Sequence, residues 1–334
     1  MSMKRYIVKR FVWAAVATLL ILTITFVLMY VTPDTRLLEL QFEAAQAGTD
    51  PELARQAAEE ARGLNRPFHV QYLDFMQNML SLNWGWSETR SQTVMDALTD
   101  AIPYSMMYGV PAVVVSTVAG LAIGLYSATH QYTKTDYAAT FFAFFGISIP
   151  NFWFAIILLV VFGSWLGWVD ILFDPQAAKV NGRFAVSAML SWANVKQLLL
   201  PVLVLTTTSI AGMMRYARAE ALEYVEAAFV KTARAKGVGP RAILTKHIFR
   251  PAAVPLATIL VGDLLGIVFV GSYLIEVVFG IPGLGLLSYN AIVNQDTALV
   301  FGTVFVPVFI AIIGNLAQDI AYVVLDPRID YGDR

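Results

Sequence analysis

The sequence contains no cysteine and only three histidines, and both shortages exclude kinds of site. Without cysteine the chain has no disulfide bond, thiolate metal site or thiol nucleophile, and cysteine usage cannot indicate a redox compartment. The histidines His69, His130 and His247 lie far apart in the chain, so a histidine-based metal site would need all its other ligands from elsewhere. We therefore expect no metal site.

Charge is also scarce. Charged residues make up 14% of the chain and hydrophobic residues 57%, a balance that does not fit a soluble protein. The formal net charge is −1, so nothing suggests a nucleic-acid partner. The composition therefore predicts a membrane protein.

Long apolar runs are what the sequence does have. A helix needs about 20 mainly apolar residues to cross a membrane. Six stretches qualify, at residues 11–31 and about 104–128, 137–165, 198–214, 252–278 and 300–325. The first run is too long for a signal peptide and no small-x-small cleavage site follows it, so we interpret it as a retained anchor.

The positive charges predict the orientation, because short cytoplasmic loops are rich in lysine and arginine. Residues 1–10 carry four such residues and the loop 215–250 carries eight, whereas residues 32–100 carry five arginines, no lysine and eleven acids. We expect both termini and the 215–250 loop on the cytoplasmic side of a cell membrane. The remaining parts are then an extracytoplasmic cap region at 32–103, a transmembrane core with the other five spans at 104–325 and a cytoplasmic tail at 326–334.

The segments between the spans carry weaker signals. Residues 36–62 predict two short amphipathic helices, the second starting at Asp50-Pro51. Trp84 and Trp86 suit either an interfacial aromatic belt or ligand contact. The Asn-Gly-Arg string at 181–183 predicts a turn or small hairpin.

The loop 215–250 is predicted to be a helical elbow. Residues 223–236 favour one helix, Gly237-Val238-Gly239-Pro240 break it, and residues 241–249 favour a second helix. A basic anchor near anionic lipid would explain the charge alone. The apolar and small residues among the charges, together with the glycine-proline break, instead suit a rigid helix that docks into another protein.

These residues resemble the cytoplasmic loop of binding-protein-dependent ABC importer permeases, and are most similar to the dipeptide/oligopeptide branch. The literal Glu226-Ala227-Ala228 is out of register with the family's glycine, and counting back from Gly237 puts the family's glutamate position at Lys231. The resemblance implies contacts with an ATP-hydrolysing subunit from Tyr224, Lys231, Thr232, Ala233, Arg234, Ala235, Lys236 and Gly237.

Other strings extend the resemblance over nearly the whole chain. They lie at residues 32–34, 64–72, 148–153, 276–285 and 315–328, and include the Ser-x-Pro-x-Phe-Trp and Pro-Gly-Leu-Gly patterns. Departures occur at residues 82–87 and at Pro251, where the family usually has other residues.

The resemblance implies an all-α fold with six transmembrane helices, similar to type I ABC importer permeases. It implies as partners a homologous second permease, two ATPase subunits, an extracytoplasmic solute-binding protein and membrane lipid. ATP and Mg²⁺ would be used by the ATPase subunits, with no cofactor bound by this chain. The substrate is expected to be a di- or oligopeptide, with an oligosaccharide or another small solute as the alternative.

Polar groups in the apolar runs are candidates for the pathway or for structural roles. The structural interpretation of Glu276 places it beside the turn at Pro282 and Gly283, and Asp319 is expected to cap or pair in the same way. Asp263 suits pathway lining as well as it suits a structural role. Thr207 and Thr208 either bond their own helix carbonyls or face a wet passage, and Gly120 and Gly124 favour close helix packing.

Two other classes of function stay as alternatives. A self-contained secondary transporter would be expected to show an inverted repeat and paired intramembrane charges, and neither is evident. An intramembrane enzyme would need a nucleophile or metal motif, and the sequence has no H-E-x-x-H and no G-x-S-x-G. The chain also has no phosphate-binding loop, so we expect it to be a transport subunit without catalytic residues, driven by partner ATPases.

Overall fold

The computed structural model of the chain describes residues 3–31, 35–253, 256, 260 and 272–325. As predicted, these residues are mostly helical. The α-helices are α1 (Met3–Val31), α2 (Thr35–Gln46), α3 (Pro51–Ala61), α4 (Phe68–Leu80), α5 (Val94–Thr129), α6 (Lys134–Ser148), α7 (Asn151–Leu158), α8 (Val186–Met189), α9 (Trp192–Val225), α10 (Ala228–Ala235), α11 (Pro240–Ala242), α12 (Tyr273–Phe279), α13 (Leu284–Val293) and α14 (Thr297–Leu325). Helix α7 continues as a π-helix over Leu159–Trp165, and α11 as a π-helix over Ile243–Ile248.

The strands form two antiparallel hairpins, and a short 3₁₀ turn precedes the second. The hairpins are β1 (Trp86–Ser87) with β2 (Gln92–Thr93), and β3 (Lys179–Val180) with β4 (Arg183–Phe184) after the 3₁₀ turn at Pro175–Ala178. The second hairpin turns at Asn181 and Gly182, both with positive φ, so the turn predicted there is confirmed.

The chain divides into two compact units, residues 8–85 and residues 1–7 with 86–334. Residues 86–103, predicted as part of the cap region, therefore group with the larger unit. In the smaller unit α1 packs on α4, where Phe26 contacts the rings of Phe68 and Tyr72 at 5.3 Å between centroids. The two predicted short helices are α2 and α3, and Asp50 caps α3 by accepting from the Glu52 N–H. Helix α4 was not predicted.

Four helices are long and apolar enough to cross a membrane, α1, α5, α9 and the described part of α14, and two bent pairs bring the number to six if each pair is one span. The pairs are α6 with α7, bent by 95°, and α12 with α13, bent by 84°. The predicted third span is therefore not one straight helix. It bends at Ile149, which has extended dihedral angles because the following Pro150 disfavours the helical conformation.

Span boundaries also differ from the prediction. Helix α9 continues well beyond residue 214, so Arg215 and Arg218 lie on the helix and not in the loop. Helix α13 was not predicted. Most of the predicted fifth span lies outside the described residues.

Helices α5 and α9 pack closely, as the spacing of small residues predicted. A Cβ atom on Gly120 would lie 2.7 Å from the Met213 Cβ, and one on Gly124 would lie 2.6 Å from the Met214 carbonyl oxygen. Helix α6 also packs on α9, since a Cβ on Gly146 would lie 2.6 Å from the Thr207 carbonyl oxygen. Small residues thus allow the backbones of three helices to meet.

Asp296 ties the first hairpin to the start of α14. Its Oδ2 accepts hydrogen bonds from the Ser87 and Thr89 hydroxyls at 2.7 Å each, and its Oδ1 accepts from the Leu299 N–H at 3.1 Å. Ser87 is fully buried and Asp296 is 7% exposed. The carboxylate therefore caps α14 and holds the hairpin at the same time.

Candidate functional site

The elbow between α9 and α11 is built differently from the prediction. A single helix over 223–236 was wrong, because α9 ends at Val225 and Ala227 has extended dihedral angles before α10 starts. The predicted break after this helix and the helical segment that follows it are confirmed. Helix α10 is therefore a separate eight-residue helix with a bend at each end.

Gly237 ends α10 with a Schellman motif. The Val238 N–H donates to the Ala233 carbonyl at 3.1 Å and the Gly237 N–H donates to the Arg234 carbonyl at 3.0 Å. This pattern requires a left-handed residue, and Gly237 has φ +78°. The glycine that identified the family motif thus has a backbone role.

The inner face of α10 is apolar. Val230 is fully buried and Ala233 is 7% exposed. They pack in a cluster with residues of α5, α9 and the helix after the elbow, which are Leu125, Ala128, Ala221, Ile243 and Ile248. Burying an apolar side chain such as valine contributes about 1.5–3 kcal/mol. Helix α10 is therefore held firmly against the ends of α5 and α9.

The outer face of α10 carries most of the residues that the family resemblance assigned to ATPase contact. Those exposed are Lys231, Thr232, Arg234, Ala235, Lys236 and Gly237. Phe229, which is 48% exposed, extends this surface. Its ring centroid lies 6.5 Å from the ring centroid of Tyr224. Ala233 faces inward, and Tyr224 is only partly exposed at the end of α9. We call the exposed residues 228, 229, 231, 232 and 234–237 the α10 surface.

A second polar group surrounds Glu276 in α12. Its Oε1 accepts hydrogen bonds from the Ser105 and Tyr108 hydroxyls at 2.7 Å each, and its Oε2 accepts from the Leu286 N–H at 3.0 Å. Glu276 has no exposed surface. Ser105 and Tyr108 of α5 were not singled out in the sequence, although their spacing of three residues puts two polar groups on one face of an apolar helix.

The turn between α12 and α13 fits closely around this carboxylate. A Cβ on Gly283 would lie 2.5 Å from the Ser105 Oγ and 2.6 Å from the Glu276 Cδ. A Cβ on Gly285 would lie 2.6 Å from the Tyr273 Cα. Pro282 lies in the turn itself, next to Gly283, and the turn packs against the Glu276 carboxyl group.

The other pathway candidates lie elsewhere. Thr207 donates its hydroxyl to the Leu203 carbonyl of its own helix at 2.7 Å, and Thr208 is half-buried beside it. Asp319 is half-buried in α14. Asp263 lies outside the described residues.

Comparisons with known proteins agree with this architecture. Residues 120–331 match the family described as "Binding-protein-dependent transport system inner membrane component", and residues 3–109 match its N-terminal membrane component. The oligopeptide transport permease AppB of Bacillus subtilis (strain 168) is 32% identical over 331 residues, which covers 98% of this chain and 100% of AppB.

Two further relatives also align over 98% of this chain. The oligopeptide transport permease OppB of Haemophilus influenzae (Rd) is 32% identical, over 98% of this chain and 100% of OppB. The dipeptide transport permease DppB of Bacillus subtilis (strain 168) is 33% identical, over 98% of each chain.

Fold, elbow and relatives together define a class, the multi-pass membrane subunits of transport systems. Within that class, this chain belongs to the family of binding-protein-dependent transport system inner membrane components, the permease subunits of ABC importers.

Proposed function

We propose that this chain is one of two homologous permease subunits that form the translocation pathway of an ATP-driven importer of di- and oligopeptides. The α10 surface is the observation that carries the proposal, because a short rigid helix presents basic and apolar side chains outward from a well-packed base. Such a helix suits docking into a groove of another protein. The names of the relatives, oligopeptide and dipeptide permeases, support the substrate class.

The partners in this proposal are the second permease, two ATPase subunits below the membrane and a solute-binding protein outside. This chain binds no cofactor of its own, and ATP with Mg²⁺ acts in the ATPase subunits. Both termini and α10 lie in the cytoplasm. Closure of the ATPase pair on ATP moves α10, and the spans then switch between inward and outward openings as rigid bodies.

Purification of the tagged chain in mild detergent, with identification of what stays bound, tests the assembly. Recovery of a second permease and ATPases, with ATPase activity, is the expected result. In liposomes with the co-purified binding protein, tritium-labelled trialanine should accumulate only with ATP. Uptake of labelled maltotriose in its place would replace peptide by oligosaccharide, and ATP-independent uptake by the chain alone would indicate a secondary transporter.

Two glycine variants test α10 itself. Gly237→Leu places a side chain on a left-handed residue, which costs about 1–2 kcal/mol and disturbs the end of α10. Gly239→Leu is the matched control, because Gly239 is also exposed with nothing within 4 Å of a built Cβ, but has φ −65°. We expect Gly237→Leu to lower uptake per ATP hydrolysed, while Gly239→Leu stays near wild type. Unchanged uptake in both variants would count against docking through α10.

A further inference from the structure

An ion pair with a buried carboxylate joins α6 to α9. The Arg218 Nη2 lies 3.1 Å from the Asp136 Oδ2, and the Arg218 Nη1 donates to the Thr140 hydroxyl at 3.3 Å. The Asp136 side chain is 3% exposed and that of Arg218 is 26% exposed. From the sequence, Arg218 is only one of the predicted loop charges, and no pattern singles out Asp136.

The same carboxylate also binds α5 and the turn that follows it. The Ser127 hydroxyl, near the end of α5, donates to the Asp136 Oδ1. The Tyr132 N–H in the turn donates to the Asp136 Oδ2 at 2.9 Å. One aspartate therefore connects α5, the turn, α6 and α9.

Apart from this ion pair, α6 and α9 meet through apolar and small residues. Ala143 packs in a cluster with Ala211 and Met214, and Gly146 lies against the backbone at Thr207. Among the described residues, the side-chain hydrogen bonds between these two helices are the two that Arg218 makes. Small side chains without directional bonds let packed helices slide past one another, whereas the ion pair specifies one register.

The pair lies beside the base of α10. Ser127 is adjacent to Ala128, and Arg218 precedes Ala221 by three residues on α9; Ala128 and Ala221 both belong to the cluster that buries Val230. A displacement of α10 would therefore move α5 and α9 close to Ser127 and Arg218, the two side chains that bind Asp136.

We propose that Asp136 and Arg218 are a positioning pair that locks α6 to α5 and α9, so that displacement of α10 also moves α6 and α7. This inference rests on the proposed function, since the displacement comes from a docked ATPase. Net stability explains the pair less well, because buried ion pairs are often no better than apolar contacts. The Arg218 Nε is also buried without a hydrogen-bond partner among the described residues.

Spin-label distances test the lock without knowledge of the substrate. The chain has no cysteine, so Phe142→Cys on α6 and Tyr216→Cys on α9 provide the only labels in this subunit. Both side chains are more than half exposed. In the purified complex, the distance between the labels should stay narrow and unchanged between the nucleotide-free and ATP-bound states.

Asp136→Asn and Arg218→Gln should each widen that distribution at least twofold and reduce trialanine uptake per ATP at least fivefold. The double variant should be no worse than either single variant, because the residues act as one unit. Arg218→Lys keeps a positive charge beside Asp136 and should retain the narrow distribution. Asp74→Asn is the matched control, since the Arg66–Asp74 pair has the same 3.1 Å separation but side chains more than half exposed.

Wild-type widths and uptake per ATP in Asp136→Asn would overturn the inference. So would an equal loss of uptake and ATPase activity with an unchanged label distance, because that result indicates a role in assembly alone. A wild-type complex without ATPase activity would contradict the proposed function, and with it the inference, before any variant is compared.

Discussion

The buried side chain of Glu276 joins α5 to α13, because it accepts hydrogen bonds from Ser105 and Tyr108 and from the Leu286 N–H. The two hydroxyls that donate to it are themselves acceptors, of the Leu284 N–H for Ser105 and of the Ser272 N–H for Tyr108. Their protons must therefore point at Glu276, and a carboxylate is the group that accepts them while also accepting the Leu286 N–H. The acidic residue in this family string is thus explained by the three hydrogen bonds that its side chain accepts.

Glu276→Gln should destabilise the protein by about 1–3 kcal/mol, because its amide NH₂ meets either two committed hydroxyl donors or the Leu286 N–H. The thermal unfolding midpoint in detergent measures this, and we expect it to fall by several degrees. Glu226→Gln, at an exposed position after α9, serves as the control and should leave the midpoint unchanged. Equal midpoints for both variants would contradict the assigned hydrogen bonds.

Gly283→Ala should be strongly destabilising, because the added Cβ would overlap the Ser105 hydroxyl and the Glu276 carboxyl group. Gly212→Ala should be neutral or stabilising by up to about 1 kcal/mol, because Gly212 lies inside α9 with nothing within 4 Å of a built Cβ. Unfolding midpoints of the two variants, measured side by side, separate these outcomes. A tolerated Gly283→Ala would show that the turn can move away from α5.

At the scale of elements, Asp296 makes the contact between the first hairpin and α14 dependent on charge. Burial raises the pKa of Asp296, but hydrogen bonds from Ser87, Thr89 and Leu299 outweigh it and bring the pKa below its ordinary value. A depressed pKa means that the folded protein favours the carboxylate. This contact therefore contributes its full stability above the unfolded-state pKa of about 3.9.

The stability difference between wild type and Asp296→Asn should thus be constant near neutral pH and shrink below about pH 4, as the carboxylate protonates. Thermal unfolding of both proteins between pH 3 and 7 measures the difference. A difference that persists undiminished at pH 3 would show that the carboxylate charge does not hold the hairpin.

At the scale of the whole molecule, the predicted orientation has a direct test, because any introduced cysteine is unique. Val186→Cys and Thr245→Cys both lie at exposed positions, before α9 and after α10. In intact cells a membrane-impermeant maleimide should label Val186→Cys, and should label Thr245→Cys only after the membrane is opened. The reverse pattern would place α10 outside the cytoplasm and contradict its role against an ATPase.

The sequence by itself determined the membrane class and the family, because long apolar runs and short motifs are local properties of the chain. It also predicted the break after α10, since the left-handed conformation of Gly237 depends on neighbours along the chain. Tertiary structure alone decided that Ala233 faces inward while Lys231 faces outward, and that α9 extends past Arg218. Packing against other helices sets these features, and the hydropathy of the sequence carries no information about that packing.

The same distinction applies to the buried polar groups. The sequence placed Glu276 beside its turn, because the two are a few residues apart. Its partners on α5, the Ser87–Asp296 contact and the Asp136–Arg218 pair join residues that are distant in the chain. A polar side chain in an apolar run shows that a partner is needed, but only the folded helices decide which partner comes within hydrogen-bond distance.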